Sequence, residues 1–237
     1  MGRAFEFRKA RKLKRWSNMA KTFTRIGKDI VVAVKDGGSN PESNSKLRAI
    51  IQNAKAANMP KENIFRAIKN ASVKKNENFK ELTLEGYGPH GIAVIIECTT
   101  DNKNRTVANI RSYFNKTNGQ LGTAGSVEFM FKRYSVFKIK AEINNDDLEL
   151  GLIDYGLEEI IHDEKNKELI LYANFDSFGQ IQNELEKRNI EIISSEFERI
   201  PDSYKFLNDE QRIDFEKFLE ICENDDDVHK IYSNFRE

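Results

Sequence analysis

The first sixteen residues, MGRAFEFRKARKLKRW, combine cationic and aromatic side chains in a pattern suited to binding a polyanion. Seven Lys or Arg residues lie among Phe5, Phe7 and Trp16, against the single acid Glu6. Lysine and arginine neutralise phosphates, and exposed aromatic rings stack on unpaired bases. A helix this cationic repels itself, so we expect it to fray in isolation and to order when a polyanion removes the repulsion. The segment predicts a phosphate-binding arm with Phe5, Phe7 and Trp16 as stacking candidates.

The positive charge continues beyond this arm and is balanced only by the later part of the chain. Residues 1–75 hold 19 Lys or Arg and 5 Asp or Glu, a net charge of +14, whereas the remainder carries −14. Such segregation predicts that one end of the protein meets a polyanion while the rest repels it. The predicted phosphate contacts are Arg3, Arg8, Lys9, Arg11, Lys12, Lys14, Arg15, Lys21, Arg25, Lys28, Lys55, Lys61, Arg66 and Lys69.

Catalytic chemistry has weaker support in the sequence. Glu97, Asp101 and Arg105 cluster where a strand meets a helix, but Asp101 or Asn102 is also expected there as a helix cap, and we favour this structural role. The Asp225–Asp227 run is either charge at a helix N-terminus or a solvated face. The three histidines have no metal-ligand spacing, so the prediction is that no metal and no cofactor is bound.

Composition and cysteine usage indicate a water-borne protein. Hydrophobic residues make up 39% and charged residues 32%, and no run approaches the ~18 apolar residues of a membrane span. The basic start lacks the apolar segment of a secretory signal. Cys98 and Cys222 are far apart, and we interpret both as buried thiols in a reducing compartment. These features predict a cytoplasmic protein without a membrane partner.

Hydrophobic periodicity predicts an α+β protein that begins with three helices. Phe23, Ile26, Ile30 and Val34 recur at helical spacing up to the glycines at 37 and 38, and two further amphipathic segments follow. These form a predicted helical domain at 1–75. The polar, aperiodic stretch 72–80 predicts a linker.

After the linker, the period changes to that of strands. Two strands around a Gly/Pro-rich turn, a helix from about Asn102 and a strand at 126–131 predict an α/β unit. Residues 134–199 read as βαββαβ, the ferredoxin-like arrangement. Residues 205–237 read as two amphipathic helices that pack back on the middle unit, because alone they would expose an apolar face. The predicted domains are thus 1–75, a discontinuous middle domain of 80–133 plus 200–237, and an inserted ferredoxin-like domain at 134–199.

Four long segments, in order along the chain, resemble the YebC family. They are KDGGSNPESNSKLR (35–48), NAKAANMPKENIFRAI (53–68), EGYGPHGIAVIIECTTDNKNRTVANIR (85–111) and NGQLGTAGSVEFMF (118–131). The opening differs from the GHSKWANIKHRK-like start common in the family, His90 replaces a usual glycine, and Phe65 replaces a common acid. The resemblance implies a helical bundle followed by two α/β domains, the third inserted into the second. It also implies a DNA-binding transcriptional regulator or a ribosome-associated factor that helps translation through stretches such as consecutive prolines.

We therefore predict a non-enzymatic, nucleic-acid-binding regulator of gene expression. No zinc finger, aromatic RNA-binding motif or GxxG loop reads base edges, so sequence-specific recognition has no support in the sequence. DNA and ribosomal RNA remain open as targets, with the ribosome as a potential partner, and the oligomeric state is not predicted. The alternatives from other classes are an enzyme that uses the acidic α/β cleft and a scaffold whose acidic domains bind basic proteins.

Overall fold

The computed structural model describes residues 3–73, 79–140 and 145–236, and for residues 3–18, 145 and 146 it describes the backbone only. Most of the predicted linker at 72–80 therefore lies outside the described residues. The chain begins with three helices, as predicted. They are α1 (Arg3–Gly37), α2 (Ser45–Ala56) and α3 (Lys61–Val73).

Asn44 fixes the turn between the first two helices. Its side-chain oxygen accepts a hydrogen bond from the Leu47 backbone N–H and caps α2, while its amide nitrogen donates to the carbonyls of Ala33 (2.7 Å) and Gly38 (2.9 Å). Gly38 has φ +84°, a conformation that glycine adopts without strain after a helix end. The core of the helical unit includes the fully buried Ile30, Leu47 and Ala54.

The next unit opens with the predicted hairpin. Its elements are β1 (Lys80–Tyr87), β2 (Ala93–Thr100), α4 (Lys103–Lys116) and β3 (Gln120–Leu121). β1 pairs antiparallel with both β2 and β3. Of the two predicted capping residues, Asp101 and Asn102, the cap is Asn102, whose side chain accepts a hydrogen bond from the Arg105 backbone N–H at 3.1 Å. Burial of Ile92, Val94 and Ile96 against Phe114 of α4 holds the helix on the sheet.

The strand predicted at residues 126–131 is wrong, because a buried carboxylate organises this segment as a turn. Residues Glu128–Met130 form one turn of 3₁₀ helix. Glu85 on β1 is 5% exposed, and its carboxylate accepts hydrogen bonds from the backbone N–H groups of Gly125 (2.8 Å), Val127 (3.0 Å) and Glu128 (2.9 Å). A side chain therefore satisfies the amides that a neighbouring strand would otherwise have paired.

The third unit has the predicted ferredoxin-like arrangement. Its elements are β4 (Phe131–Lys140), α5 (Asn145–Ile153), β5 (Leu157–Asp163), β6 (Glu168–Asn174), α6 (Phe178–Lys187) and β7 (Ile192–Pro201). The four strands form an antiparallel sheet in the order β5-β6-β4-β7. Both helices pack on the sheet, because Leu152 and Ile181 are fully buried in one core with Phe137 and Leu171.

The C-terminal segment returns to the middle unit, as predicted, but with one helix instead of two. Its elements are β8 (Lys205–Phe206), α7 (Asp209–Glu223), β9 (Val228–Ser233) and β10 (Phe235–Arg236). The ring of Phe218 on α7 lies 4.8 Å from that of Phe114 on α4. The predicted second helix around Ile231 is wrong, since this segment is strand β9. It pairs antiparallel with β2 and completes the sheet order β3-β1-β2-β9.

Strand formation at β9 has a clear cause in the sheet. The side chains of β2 are buried from Ala93 to Ile96, so its outer edge would leave backbone N–H and C=O groups unpaired beneath the surface. Pairing with β9 satisfies these groups. The helix-like spacing of apolar residues in this segment is therefore overridden by tertiary hydrogen bonding.

The helical unit also contacts the ferredoxin-like unit. Asn53 on α2 forms two hydrogen bonds with the backbone of Ser195 on β7, donating to its carbonyl at 2.6 Å and accepting from its N–H at 2.9 Å. Arg48 on α2 donates to the carboxylate of Glu186 on α6 at 3.1 Å. An amide side chain thereby acts like one rung of a β-ladder between the two units.

Replacing the buried carboxylate in Glu85→Gln should destabilise the protein by about 1–3 kcal/mol. The three backbone N–H groups are shared between two oxygens, and the amide nitrogen, itself a donor, replaces one of these oxygens and leaves at least one N–H without its acceptor. Burial raises the pKa of Glu85, but the hydrogen bonds from Gly125, Val127 and Glu128 lower it by more. The carboxylate therefore contributes stability at neutral pH, and this contribution declines as the pH falls below about 4.3, the ordinary glutamate value, toward the lowered pKa.

Urea unfolding of the wild type and of Glu85→Gln, at neutral and at acidic pH, measures the difference in their free energies of unfolding. Glu149→Gln, which makes the same chemical change at an exposed site on α5, should leave the free energy of unfolding within about 0.5 kcal/mol. Equal stability of Glu85→Gln and the wild type at neutral pH would contradict the role of this carboxylate.

Candidate nucleic-acid interface

Lys28 lies at the contact between α1 and the middle unit. Its ammonium donates to Asp227 Oδ1 (2.9 Å), to the Asp226 carbonyl (2.7 Å) and to the Thr99 carbonyl (3.1 Å). The side chain is 12% exposed. Lys28 therefore has three acceptors within the protein and little access to solvent.

Asp227, the residue before β9, is the central acceptor of this contact. Its Oδ2 atom accepts hydrogen bonds from Arg105 Nη2 (2.8 Å), Thr106 Oγ1 (2.9 Å) and Thr100 Oγ1 (3.1 Å). Burial of the carboxylate raises its pKa, but the hydrogen bonds from Arg105, Lys28 and Thr106 outweigh burial and lower the pKa to about 2. The group is ionised at every physiological pH.

Two more predicted phosphate contacts on α1 face the same part of the middle unit. Lys21 donates to Asn224 Oδ1 at 2.7 Å, and Arg25 donates to the Glu223 carbonyl at 3.2 Å. Because residues four and three positions apart share a helix face, Lys21, Arg25 and Lys28 form one row. We call this row, together with residues 223–227, the α1–α7 contact. The structure thus places three predicted site residues in a contact within the chain, and we leave them out of the interface proposed below.

A different group of predicted site residues is exposed on the helical unit. Lys55 lies near the end of α2, and Lys61, Arg66 and Lys69 lie on α3. Arg66 donates to Asn63 Oδ1 at 2.7 Å, on the same helix. The opposite side of α3 is buried through Ile64 and Ala71. The outer face of α3 is therefore cationic and open to solvent.

The predicted arm is the first part of α1 and shares one helix with the α1–α7 contact. The backbone is helical from Arg3. The arm residues predicted to contact nucleic acid have side chains outside the described part of the protein, and these are Arg3, Phe5, Phe7, Arg8, Lys9, Arg11, Lys12, Lys14, Arg15 and Trp16. Their role stays a prediction.

The acidic residues considered for catalysis bind separate partners. Glu97 accepts from Arg199 at 3.0 Å, whereas Asp101 accepts from Arg105 at 2.7 Å beside the capping residue Asn102. This arrangement agrees with the structural role favoured from the sequence. Among the residues whose side chains the structure describes, no group of three or more His, Cys, Asp or Glu is placed to hold a metal ion.

The two cysteines are buried and not bonded to each other, as predicted. Burial raises the pKa of Cys98 and of Cys222 to about 12. Neither thiol is therefore ionised near neutral pH, and a thiolate is the form that acts as a nucleophile.

The sequence does not indicate the role of two residues that the structure makes prominent. For Asp227, the two readings of the Asp225–Asp227 run, a helix N-terminus or a solvated face, are both wrong, because Asp227 is buried and directly precedes strand β9. Its partners come from three distant segments, so no local signal marks it. Phe65 is 69% exposed on α3. Its spacing of four residues from Lys61 and from Lys69 is a signal that the sequence does contain.

None of the helices in the described ranges is apolar enough over sufficient length to cross a bilayer. The 35-residue α1 is long enough, but it carries many charged residues.

Truncation in Asp227→Ala should lower the free energy of unfolding by about 3 kcal/mol, because it leaves the largely buried ammonium of Lys28, 12% exposed, without its ion-pair partner. Asp226→Ala is the matched control, since it removes the same charge from the adjacent, exposed side chain. Chemical denaturation with fluorescence detection compares the two variants. Indistinguishable midpoints would show that the Lys28–Asp227 pair does not stabilise the fold.

Comparison with known proteins places the whole chain in one family. A model described as the TACO1/YebC protein N-terminal domain matches residues 3–74, and a model described as the TACO1/YebC second and third domain matches residues 79–235. A Flavobacterium johnsoniae protein called a probable transcriptional regulatory protein is 62% identical over the full length of both chains. A Parabacteroides distasonis protein with the same description is 53% identical and matches 100% of this chain and 98% of its own.

A solved structure supports the same assignment. The crystal structure of a conserved hypothetical protein from Aquifex aeolicus superposes with a TM-score of 0.76 at 35% identity, covering 92% of this chain and 90% of its own. The fold and the sequence therefore agree over nearly the entire length, and the chain belongs to the TACO1/YebC family.

Proposed function

We propose that this protein is a non-enzymatic, nucleic-acid-binding regulator of gene expression that meets phosphates through its N-terminal helical unit. The observation that carries the proposal is the division of charge, +14 in residues 1–75 against −14 in the remainder. A phosphate backbone is attracted to the first part and repelled by the second, which orients the protein on its target.

The structure supports a division of labour among the cations of the helical unit. Lys21, Arg25 and Lys28 hold α1 against the middle unit through the α1–α7 contact. The exposed cations on α2 and α3 take no part in the α1–α7 contact. The proposed interface consists of these exposed residues, Lys55, Lys61, Arg66 and Lys69, together with the arm residues Arg3, Arg8, Lys9, Arg11, Lys12, Lys14 and Arg15, with Phe5, Phe7 and Trp16 as stacking groups.

The names of the relatives favour transcription as the process that is regulated. Proteins 62% and 53% identical over essentially the whole chain are described as probable transcriptional regulatory proteins. We therefore propose DNA as the target, in the cytoplasm. The alternative from the sequence, a translation factor on ribosomal RNA, uses the same cations, so it is distinguished by the target and not by the interface.

Replacing the exposed cations in a Lys55→Gln, Lys61→Gln, Arg66→Gln, Lys69→Gln variant should weaken binding to duplex DNA by more than tenfold at low salt. Each lost phosphate contact lowers the slope of log affinity against log salt by about 0.9, so four lost contacts lower it by about 3.6. Fluorescence anisotropy over a salt titration measures both quantities.

The matched control replaces four exposed lysines of the acidic part, Lys165, Lys167, Lys187 and Lys217, and removes the same charge. It should leave the affinity and the salt slope near those of the wild type. A wild type without measurable affinity for duplex DNA, RNA or ribosomes at low salt would overturn the proposed function. Equal losses in the two quadruple variants would show that binding depends on net charge and not on this interface.

The target is decided by comparing promoter DNA, random duplex DNA and purified ribosomes. A transcriptional regulator should prefer promoter over random DNA by at least about tenfold, or ~1.4 kcal/mol. A smaller preference, with ribosome association that persists at salt concentrations that dissociate DNA, would replace transcription with translation as the process.

A further inference from the structure

Phe65 is an exposed aromatic ring on a helix whose other side supplies the core. The residue is 69% exposed on α3, while Ile64 beside it is 4% exposed. The other described phenylalanine of the helical unit, Phe23, packs partly against the core. Single exposed apolar residues are common on protein surfaces, so exposure by itself assigns no role. The charged residues around the ring are what indicate a role.

Phe65 lies midway between two lysines on the same face of α3. Lys61, Phe65 and Lys69 follow one another at intervals of four residues, so they form one row along the helix. At 1.5 Å per residue, each lysine is about 6 Å from Phe65 along the helix axis. Both lysines are exposed, and neither forms an ion pair with a carboxylate of the described ranges.

The charge around the ring is predominantly positive. Between residues 61 and 70, Glu62 is the acid and Lys61, Arg66 and Lys69 are the bases. Glu62 and Arg66 are also four residues apart and occupy the neighbouring row. An aromatic face is therefore flanked by cations on two rows of the helix.

This combination determines the kind of ligand that fits. A single-stranded nucleic acid offers the faces of its bases for stacking and its phosphates for the ammonium groups. A duplex offers only the phosphates, because its base faces are covered by neighbouring bases. A protein helix with an apolar face would use the ring and leave the three cations unpaired.

We propose that Phe65, Lys61 and Lys69 form a binding site for an unpaired nucleotide, with the base on the ring and the adjoining phosphates on the two ammonium groups. This inference rests on the proposed function and narrows it, because it adds single-stranded segments to the targets of the helical unit. We call these three residues the α3 site.

The variant Phe65→Ala should weaken binding to single-stranded oligoadenylate roughly 5- to 150-fold, the range expected for loss of one stacked base. Binding to a duplex of the same length should not change. The salt slope should also stay constant on both probes, because no phosphate contact is removed. The variant should fold, since Phe65 is exposed and alanine favours a helix, and circular dichroism melting checks this.

Three further variants separate stacking from other effects. Phe65→Tyr keeps the ring and should retain the affinity for oligoadenylate. Lys61→Gln with Lys69→Gln should instead lower the salt slope on single strands, by about 1.4 for two contacts. Phe129→Ala is the matched control, because Phe129 is 73% exposed but lies in the acidic part beside Glu128; it should bind like the wild type.

Several results would overturn the α3 site. If Phe65→Ala binds oligoadenylate like the wild type, or loses equal affinity for both probes, the ring does not stack on a base. A normal affinity together with a change in sedimentation would instead assign Phe65 to a protein contact. If the wild type binds nucleic acid and the variant with Lys55, Lys61, Arg66 and Lys69 replaced does not, these results refute only the α3 site. If the wild type binds no nucleic acid, both the α3 site and the proposed function are refuted.

Discussion

The buried carboxylate of Asp227 is the interaction on which the arrangement of the first two units depends. It joins α1 through Lys28, α4 through Arg105 and Thr106, and the end of β2 through Thr100. A buried charge is tolerated only when it is paired and hydrogen-bonded, and each of these donors contributes to that condition. Removing one partner leaves the others facing an uncompensated group. Asp227 therefore couples the position of α1 to the closure of the middle sheet.

This coupling gives the cations of the helical unit two different roles. Those on the face of α1 that meets residues 223–227 serve the contact between units, and those on the outer side of α3 are free of that contact. Both sets arise from the same basic composition, and only their partners differ. The acidic part of the chain supplies acceptors where the units meet, while elsewhere its negative charge opposes the approach of a second polyanion. Segregation of charge thus contributes to cohesion of the molecule and to the proposed orientation on a nucleic acid.

The sequence predicted those elements whose pattern is decided locally. The helix end at Gly37, the cap at Asn102 and the βαββαβ order of the third unit follow from glycine, capping residues and changes of hydrophobic period. The two errors in predicted secondary structure have one cause in common. The segment before Phe131 is a turn because the Glu85 carboxylate takes up its amides, and the segment around Ile231 is a strand because β2 offers an unpaired edge. In both segments, a group distant in sequence forms the hydrogen bonds of the backbone N–H or C=O groups. A prediction from neighbouring residues does not include that distant group.

For the candidate interface, the sequence alone determined the charge of each residue, its clustering at the amino end and its spacing along a helix. The sequence alone also contains the four-residue spacing of Lys61, Phe65 and Lys69 and the resemblance to the TACO1/YebC family. Only the tertiary structure decided that Lys28 pairs with Asp227 and is largely shielded from solvent while Lys61 and Lys69 face solvent. The physical reason is that availability of a charge depends on which acceptor the fold brings within hydrogen-bond distance. Lys28 and Asp227 are about 200 residues apart in the chain and become neighbours only when β9 pairs with β2 and α1 packs beside them.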